Sequence, residues 1–132
     1  MGEKIMDASL YSPLDLAYLG DAVYELYIRS TLVRAGNIPV GKLSKMGANL
    51  AMAKTQAAMV DALEDYLSED EKKMIQRGKN AKVGAIPSSC TAKEYHKATG
   101  LECLIGYLYL GGNMERTMEI VSEGWKRCGY AQ

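Results

Sequence analysis

The sequence predicts an all-α protein, and three observations support this prediction. No segment shows the strict alternation of apolar and polar residues that is typical of a half-buried strand. Apolar residues instead recur at three- and four-residue steps over most of the chain. A Ser or Thr followed three residues later by an acid, which is a common helix start, occurs before three of these stretches. With 132 residues, we expect one domain, residues 1–132, that can bury a core without disulfides.

The first predicted helix spans residues 13–35. Ser12 is a good N-cap, Pro13 suits the first helical position, and Gly36 with Asn37 marks the end. Apolar residues lie on nearly every side of this helix, so we expect it to be central and mostly buried. Residues 1–11 carry no pattern, and we expect them to be loosely held.

Two further helices and a basic loop are predicted in the middle of the chain. Residues 41–67 carry an apolar stripe at helical spacing, which predicts one long helix with Gly47 as its bend point. Ser68 and Glu71 form a capping box that opens a shorter helix as far as Arg77. Residues 78–89 combine glycine, proline, small polar residues and lysine, so they predict a mobile basic loop.

The last two predicted helices also begin at recognisable caps. Thr91 and Glu94 form a second capping box, and the helix that follows should end at Gly111 and Gly112. Asn113 is the predicted N-cap of the final helix. The apolar stripe of that helix consists of Met114, Met118, Val121, Trp125 and Cys128. Its predicted solvent face carries Glu115, Arg116, Glu119, Glu123, Lys126 and Arg127.

Charge and cysteine content limit the function classes. Sixteen basic and sixteen acidic residues give a net charge of zero, so any nucleic-acid binding would depend on a local basic patch. The three cysteines are an odd number at wide spacings, which fits neither a zinc site nor a disulfide framework. We therefore expect free thiols in a reducing compartment. No secretory leader or membrane-spanning apolar run is visible, so we expect a soluble cytoplasmic protein.

Asp21 and Glu102 are candidate metal ligands. Each lies within an apolar helical stretch, where a carboxylate without a partner is costly. If the two helices pack together, both acids reach one site, and oxygen ligands suit magnesium. Gly106, one turn after Glu102, would leave space there for a metal or a phosphate. Spacing alone leaves an alternative open, because an acid on an apolar helix is at least as often paired with a buried Lys or Arg.

Two segments carry a resemblance to a known family. Residues 19–23 (Leu-Gly-Asp-Ala-Val) and 101–106 (Leu-Glu-Cys-Leu-Ile-Gly) resemble, in order and spacing, the two acidic segments of the ribonuclease III catalytic domain. Too few residues follow for a double-stranded-RNA-binding domain, so the expected branch is Mini-ribonuclease III. The resemblance covers nearly all of the chain and implies the helical bundle of that domain. It also implies a magnesium-dependent endoribonuclease that cuts double-stranded RNA to 5′-phosphate and 3′-hydroxyl ends.

The resemblance also assigns roles to individual acids. Asp21 and Glu102 match the magnesium ligands of ribonuclease III. Ala17 and Thr99 stand where that family has two further carboxylates, a departure in which this chain is similar to the Mini-ribonuclease branch. The full set of metal ligands is therefore left open. Glu25, one turn from Asp21, is the expected helper, although a solvated or salt-bridged role fits it equally well.

Basic residues are expected to contact the RNA backbone, because phosphate contacts supply most of the affinity for a double helix. The segment that contains Arg77, Lys79, Asn80 and Lys82 is similar to a basic segment at the same place in Mini-ribonuclease III. We expect this segment to bind RNA. Lys54, at the edge of the second apolar stripe, is a lesser candidate that can instead extend into solvent.

The resemblance further implies a homodimer, which would place two acidic clusters on one duplex so that each strand is cut once. Tyr18 matches an aromatic residue that packs into the partner subunit in ribonuclease III. From the sequence alone, Tyr18 could equally be a core residue. The expected substrate is precursor 23S ribosomal RNA, and a ribosomal protein that presents it is a further candidate partner.

Two functions from other classes explain the sequence less well. A non-catalytic helical RNA-binding or ribosome-assembly module would account for Ala17 and Thr99 but not for Asp21 and Glu102. A protein–protein adaptor would account for the apolar helices but not for the acids within them. Catalysis by His96 is disfavoured, because six residues place it about 120° around the helix from Glu102.

Overall fold

The structure is a computed structural model that describes residues 7–130. A short 3₁₀ helix covers Ala8–Leu10, and six α-helices follow it. These are α1 (Pro13–Ala35), α2 (Val40–Ala51), α3 (Ala53–Ala62), α4 (Glu69–Asn80), α5 (Ala92–Leu110) and α6 (Met114–Cys128). The described range contains no strand, which confirms the all-α prediction. Residues 1–6, part of the segment expected to be loosely held, lie outside that range.

Four helices begin at the caps that the sequence predicts. The side chains of Ser12, Ser68, Thr91 and Asn113 each accept a hydrogen bond from a backbone N–H in the first turn of α1, α4, α5 and α6. Ser68 and Thr91 belong to complete capping boxes, in which a glutamate side chain also accepts from the backbone N–H of the cap. Because these N–H groups have no partner within a helix, the caps stabilise each start.

Helices α1 and α5 form the centre of the molecule and share its most extensive contact. Helices α3, α4 and α6 surround α5, and its side chains Leu101, Leu104 and Ile105 are fully buried. The prediction that α1 is mostly buried is wrong for one of its faces. Tyr18, Leu26 and other large side chains on that face are exposed, Tyr18 to 85% of its surface.

Glycines allow α5 to approach α1 closely. A Cβ atom on Gly20 would lie 1.8 Å from the carbonyl oxygen of Glu102, and one on Gly106 would lie 2.0 Å from that of Leu16. No side chain fits at such distances, so only glycine permits this crossing. The space beside Gly106 is filled by the α1 backbone. The expectation that Gly106 leaves room there for a metal or a phosphate is therefore wrong.

The long helix predicted over residues 41–67 is wrong, because Met52 interrupts it. Met52 adopts an extended conformation (φ −60°, ψ 145°) and separates α2 from α3, which itself ends at Ala62. The carbonyls at the end of α2 accept hydrogen bonds from side chains instead. The bonds are Thr55 Oγ1 to Asn49 O (2.6 Å), Tyr24 Oη to Leu50 O (2.6 Å) and Gln56 Nε2 to Ala51 O (3.0 Å). These tertiary donors replace the helical ones.

The basic segment begins inside a helix rather than in a loop. Helix α4 extends to Asn80, so Arg77, Lys79 and Asn80 are helical, and the prediction of a loop from residue 78 is wrong at its start. The guanidinium of Arg77 donates to the carbonyl oxygens of Ser9 and Tyr11, at 2.9 Å each. Arg77 thus ties the segment before α1 to α4.

The prediction that Arg116 lies on the solvent face of α6 is wrong. Its guanidinium forms a two-point ion pair with the buried Glu71, with N···O distances of 2.7 and 2.8 Å. Arg116 also lies over the ring of Tyr66, 4.8 Å from the ring centroid. Burial of Glu71 is compensated by this pair and by its capping bond to Ser68. The pair joins α4 to α6.

Two further expectations concern membranes and thiols. Across residues 7–130, no helix is both long enough and apolar enough to cross a bilayer. Cys90, Cys103 and Cys128 are free thiols, as predicted. Burial raises the pKa of the Cys103 thiol to about 11, so this side chain behaves as a small core residue.

The glycine crossing predicts a large effect of one added methyl group. Gly106→Ala should lower the free energy of unfolding by about 3 kcal/mol or more, because its Cβ collides with backbone that cannot rotate away. Chemical denaturation monitored by circular dichroism measures the change. Gly41→Ala, which adds a methyl group in open space on α2, is the control and should shift stability by less than about 1 kcal/mol. Equal stability of the two variants would contradict the proposed packing.

Candidate active site

The crossing of α1 and α5 brings Asp21 and Glu102 together. Asp21 follows Gly20 on α1, and Glu102 lies one turn before Gly106 on α5, so both flank the glycine contact. The two carboxyl groups are close enough to hydrogen-bond when one of them is protonated. Asp21 is exposed and Glu102 is half-buried, so the pair lies at the surface end of a buried contact. The packing of α1 against α5 thus places the two acids next to each other.

The environment of Glu102 disfavours its charged form. Burial, followed by the nearby charge of Asp21, raises the pKa of Glu102 to about 8 from an ordinary value of 4.5. A hydrogen bond from Gln56 Nε2 to Glu102 Oε2, at 3.2 Å, acts in the opposite direction. Two like charges in a partly desolvated site are costly, so a cation bound between them would be strongly favoured.

No basic side chain within residues 7–130 neutralises this pair. The ion pairs of that range involve other acids, and neither Asp21 nor Glu102 takes part in one. The alternative that a buried Lys or Arg explains these acids therefore receives no support from the described residues. What remains is two adjoining carboxylates open to solvent on one side.

The donor set suits a hard divalent cation that keeps part of its hydration. Within the described range, no three His, Cys, Asp or Glu side chains form a group that could enclose a metal. Ala17 is buried without a polar side chain, and the Thr99 hydroxyl donates to Tyr95 O at 3.0 Å within its own helix. Magnesium is typically bound by one or two carboxylates, with water and substrate phosphates as its other ligands. Asp21 and Glu102 fit that mode.

Gln56 is the polar residue of this site that the sequence analysis missed. It lies on α3, is 2% exposed, and its amide reaches Glu102. Its Oε1 is buried and has no hydrogen-bond partner among the described residues. A signal was present, because Gln56 lies three residues after Ala53 and four before Val60, on the apolar stripe itself. An amide on a core stripe indicates a buried polar contact.

Glu25, the predicted helper, lies in a different environment. Its carboxylate is 3.6 Å from the guanidinium of Arg29, one turn along α1. Both residues line a groove of about 420 Å³ between α1 and α2. The lining of this groove includes neither Asp21 nor Glu102. The geometry therefore favours the salt-bridged role over the helper role for Glu25.

The single histidine, His96, lies near the start of α5. His96 is half-buried, and its ring meets that of Tyr95 edge-on, with centroids 6.3 Å apart. Its Nδ1 is buried and has no hydrogen-bond partner among residues 7–130. Among the described residues, no hydrogen bond joins His96 to Asp21 or to Glu102.

The candidate RNA-binding residues differ in how free their side chains are. Arg77 is held by two backbone carbonyls, and the amide oxygen of Asn80 accepts a bond from Gln76 at 2.9 Å. Lys79 is half-buried where α4 crosses α5, whereas Lys82 and Lys54 are exposed. The lysines are therefore better placed to meet phosphates than Arg77 is.

Comparison with known proteins gives consistent results. The family model described as the ribonuclease III domain matches residues 14–113. A protein from Thermoanaerobacter sp. (strain X514) named Mini-ribonuclease 3 is 46% identical over 110 residues, which is 83% of this chain and 78% of that protein. A protein of the same name from Symbiobacterium thermophilum is 42% identical over 83% of this chain and 84% of its own length. A crystal structure of a Fusobacterium nucleatum protein superposes with a TM-score of 0.79 at 37% identity, covering 88% of this chain and 93% of that one.

The raised pKa of Glu102 predicts how stability should depend on pH. Well below pH 4.5 the Glu102 carboxyl is neutral in both the folded and the unfolded chain, so it does not change the free energy of unfolding. Between pH 4.5 and about 8 the unfolded chain ionises first, and the free energy of unfolding should fall as pH rises. Each pKa unit corresponds to about 1.4 kcal/mol, so the loss should reach a few kcal/mol by pH 9. Denaturant titrations in a chelating buffer measure it.

Glu102→Gln is the matched control for this effect, because it keeps the shape of the side chain without a titrating proton. Its stability should vary less between pH 5 and pH 9 than that of the unmodified protein. Carboxyls with lowered pKa values, such as Glu71, titrate below this window and do not interfere. A variant with the same pH dependence as the unmodified protein would show that Glu102 is not the responsible group.

Proposed function

Because the chain belongs to the ribonuclease III family, and so is an endoribonuclease of that type, we propose a more specific activity for it. The proposal is magnesium-dependent hydrolysis of double-stranded RNA, which leaves 5′-phosphate and 3′-hydroxyl ends. The observation that carries it is the adjoining pair of Asp21 and Glu102 without a cationic partner among the described residues. Such a pair is suited to bind the divalent cation that phosphodiester hydrolysis requires.

In this mechanism Asp21 and Glu102 are the residues that would hold magnesium. When bound, magnesium supplies positive charge that neutralises the phosphoryl oxygens and helps to activate water. Asp21 is exposed and therefore accessible to a phosphate. Glu102 is half-buried and accepts a hydrogen bond from the Gln56 amide. The close approach of α1 and α5 fixes the distance between the two backbone positions that carry Asp21 and Glu102, which limits the reorganisation needed when substrate arrives.

Lys54, Lys79 and Lys82 are the proposed contacts to the RNA backbone. A chain of zero net charge has no global attraction for RNA, so these local charges would supply the phosphate contacts. Lys54 is the second residue of α3, the helix whose Gln56 contacts Glu102, and Lys79 lies at the crossing of α4 and α5. Arg77 would support the segment rather than bind RNA directly, since its guanidinium donates to two backbone carbonyls, and the Asn80 amide oxygen already accepts from Gln76.

We also propose that the active form is a homodimer built on the exposed face of α1. Tyr18 is 85% exposed, which excludes the core position that the sequence left open. Leu26 and Val33 extend the same apolar face, at 60% and 66% exposure. Apolar side chains concentrated on one helix face are typical of an interface. A two-fold pair would present two acidic sites to one duplex.

The proposed biological substrate is precursor 23S ribosomal RNA, and a ribosomal protein that presents it is the proposed accessory partner. The relatives described above are named Mini-ribonuclease 3, which supports an RNA-cleaving role without naming this substrate. We further propose that residues 1–132 form a single catalytic domain. Its three free thiols fit a reducing cytoplasm.

Asp21→Asn should retain the fold and abolish cleavage, because it removes a metal-binding charge without changing side-chain shape. The fold should be at least as stable, since repulsion between Asp21 and Glu102 is removed. Gel analysis of duplex RNA cleavage in magnesium measures activity, with product ends identified by mass spectrometry. Asp15→Asn, which removes an exposed acid from the same helix, is the matched control and should cut normally. Near-normal cleavage by Asp21→Asn would overturn the metal-site assignment.

Tyr18→Glu should yield monomers, because an unpaired charge in an apolar interface costs about 3 kcal/mol or more, roughly a 100-fold loss of affinity. Light scattering at micromolar concentration measures the assembly state. The monomers should also lose paired cutting of both strands. Met118→Glu places the same charge on an exposed apolar position of α6 and should leave the dimer intact. A monomeric unmodified protein would refute the dimer proposal.

A further inference from the structure

A buried amide connects the active-site pair to the break between α2 and α3. Gln56, the fourth residue of α3, is 2% exposed, and its Nε2 makes two hydrogen bonds. One bond goes to the backbone carbonyl of Ala51 at 3.0 Å, and the other goes to Glu102 Oε2 at 3.2 Å. The same nitrogen therefore joins a fixed backbone atom to a carboxylate of the candidate active site.

The orientation of this amide is determined by its partners. Both neighbours of Nε2 are acceptors, a carbonyl oxygen and a carboxylate oxygen, and an NH₂ group has two protons to donate. The reversed orientation would place the amide oxygen against two other oxygens. The cost of the observed orientation is that Gln56 Oε1 stays buried without a partner among the described residues. The two hydrogen bonds that Nε2 donates compensate for this unpaired oxygen.

The backbone anchor of Gln56 exists because α2 ends early. With Met52 extended, the Ala51 carbonyl has no helical N–H to accept, and Gln56 takes that place. Its neighbour Thr55 makes the same kind of bond to Asn49 O, at 2.6 Å, but does not contact Glu102. Thr55 and Gln56 thus both donate to carbonyls at the end of α2, and of these two side chains only Gln56 also contacts Glu102.

Glu102 needs a restraint when both carboxyls are ionised, as cation binding requires, because the like charge of Asp21 then repels it. A free glutamate side chain has three rotatable bonds and could turn away from Asp21. Neither Ala17 nor Thr99 supplies a donor to it, since Ala17 has no polar group and the Thr99 hydroxyl bonds to Tyr95. Among the described residues, Gln56 is the side chain that hydrogen-bonds Glu102.

We propose that Gln56 is a positioning residue for the metal site, which holds the Glu102 carboxylate beside Asp21 by anchoring it to the Ala51 carbonyl. This inference rests on the proposed function, in which Asp21 and Glu102 bind the divalent cation. Gln56 does not touch the reacting atoms. It fixes one oxygen of Glu102 and leaves the other free for the cation. In metal sites generally, residues that hydrogen-bond to a metal ligand hold that ligand in the correct orientation.

The test is metal binding in the absence of RNA, with manganese(II) as the probe and the electron paramagnetic resonance signal of the free ion as the readout. Gln56→Met, which keeps the length of the side chain and removes its donors, should weaken manganese binding about 10- to 100-fold. Cleavage by this variant should require correspondingly more magnesium and should recover toward the normal kcat at saturation. KM for the duplex, measured at saturating magnesium, should hardly change.

Thr55→Val is the matched control, because it removes the equivalent bond to the end of α2 without touching Glu102. It should lose stability but bind manganese like the unmodified protein. If Gln56→Met does not fold, Gln56→Asn replaces it, since the shorter amide cannot reach both partners and should show the same loss. Normal manganese affinity in a folded Gln56 variant, or an equal loss in Thr55→Val, would overturn the positioning role.

Asp21→Asn distinguishes this inference from the proposed function on which it rests. If Asp21→Asn loses manganese binding and Gln56→Met does not, the metal site stands and the role of Gln56 fails. If Asp21→Asn binds manganese normally, the assignment of the metal site fails and the positioning role fails with it. Loss of binding in both variants, with Thr55→Val unaffected, supports both proposals.

Discussion

The close contact between Gly20 and Gly106 is the constraint on which the rest of the structure depends. Each glycine lies against the backbone of the opposite helix, at a distance that excludes even a methyl group. Because α1 and α5 meet there, Asp21 and Glu102 extend from adjoining turns and must share one site. A wider helix spacing would separate the carboxylates and relieve their repulsion. Fold and candidate chemistry therefore depend on the same two residues.

The core stabilises this site through polar contacts as well as apolar packing. The end of α2 is closed by Tyr24, Thr55 and Gln56, and the hydroxyl of Tyr24 also accepts a hydrogen bond from Trp125 Nε1 at 3.1 Å. Helices α1, α2, α3 and α6 thus meet in one network of hydrogen bonds, in which Gln56 Oε1 is the buried atom without a partner among the described residues. Buried networks of this kind fix a single arrangement, because any partial rearrangement leaves an unpaired polar atom. Through Gln56, the network reaches Glu102.

The candidate site offers only two carboxylates among the described residues. Ala17 and Thr99 contribute no carboxylate, so Asp21 and Glu102 provide the charge, and in the proposed mechanism water and RNA phosphates complete the coordination. The exposed face of α1 carries large apolar side chains, among them Tyr18, Leu26 and Val33, beside charged residues such as Arg29. A site with two carboxylates is consistent with a cation whose other ligands come from water and substrate. An uncovered helix face is consistent with contact to a second copy of the chain.

The sequence by itself determined the helical class, the capped starts of α1, α4, α5 and α6, and the pairing of Asp21 with Glu102. Caps act within four residues, and the acids lie in segments that resemble a known family, so both were visible locally. The tertiary structure alone decided the break at Met52, the binding of Arg77 to the segment before α1, the burial of Arg116 with Glu71, and the contact from Gln56 to Glu102. Each of these depends on a partner at least one helix away in the chain. Spacing within one segment cannot show which distant carbonyl or carboxylate will meet a side chain after folding.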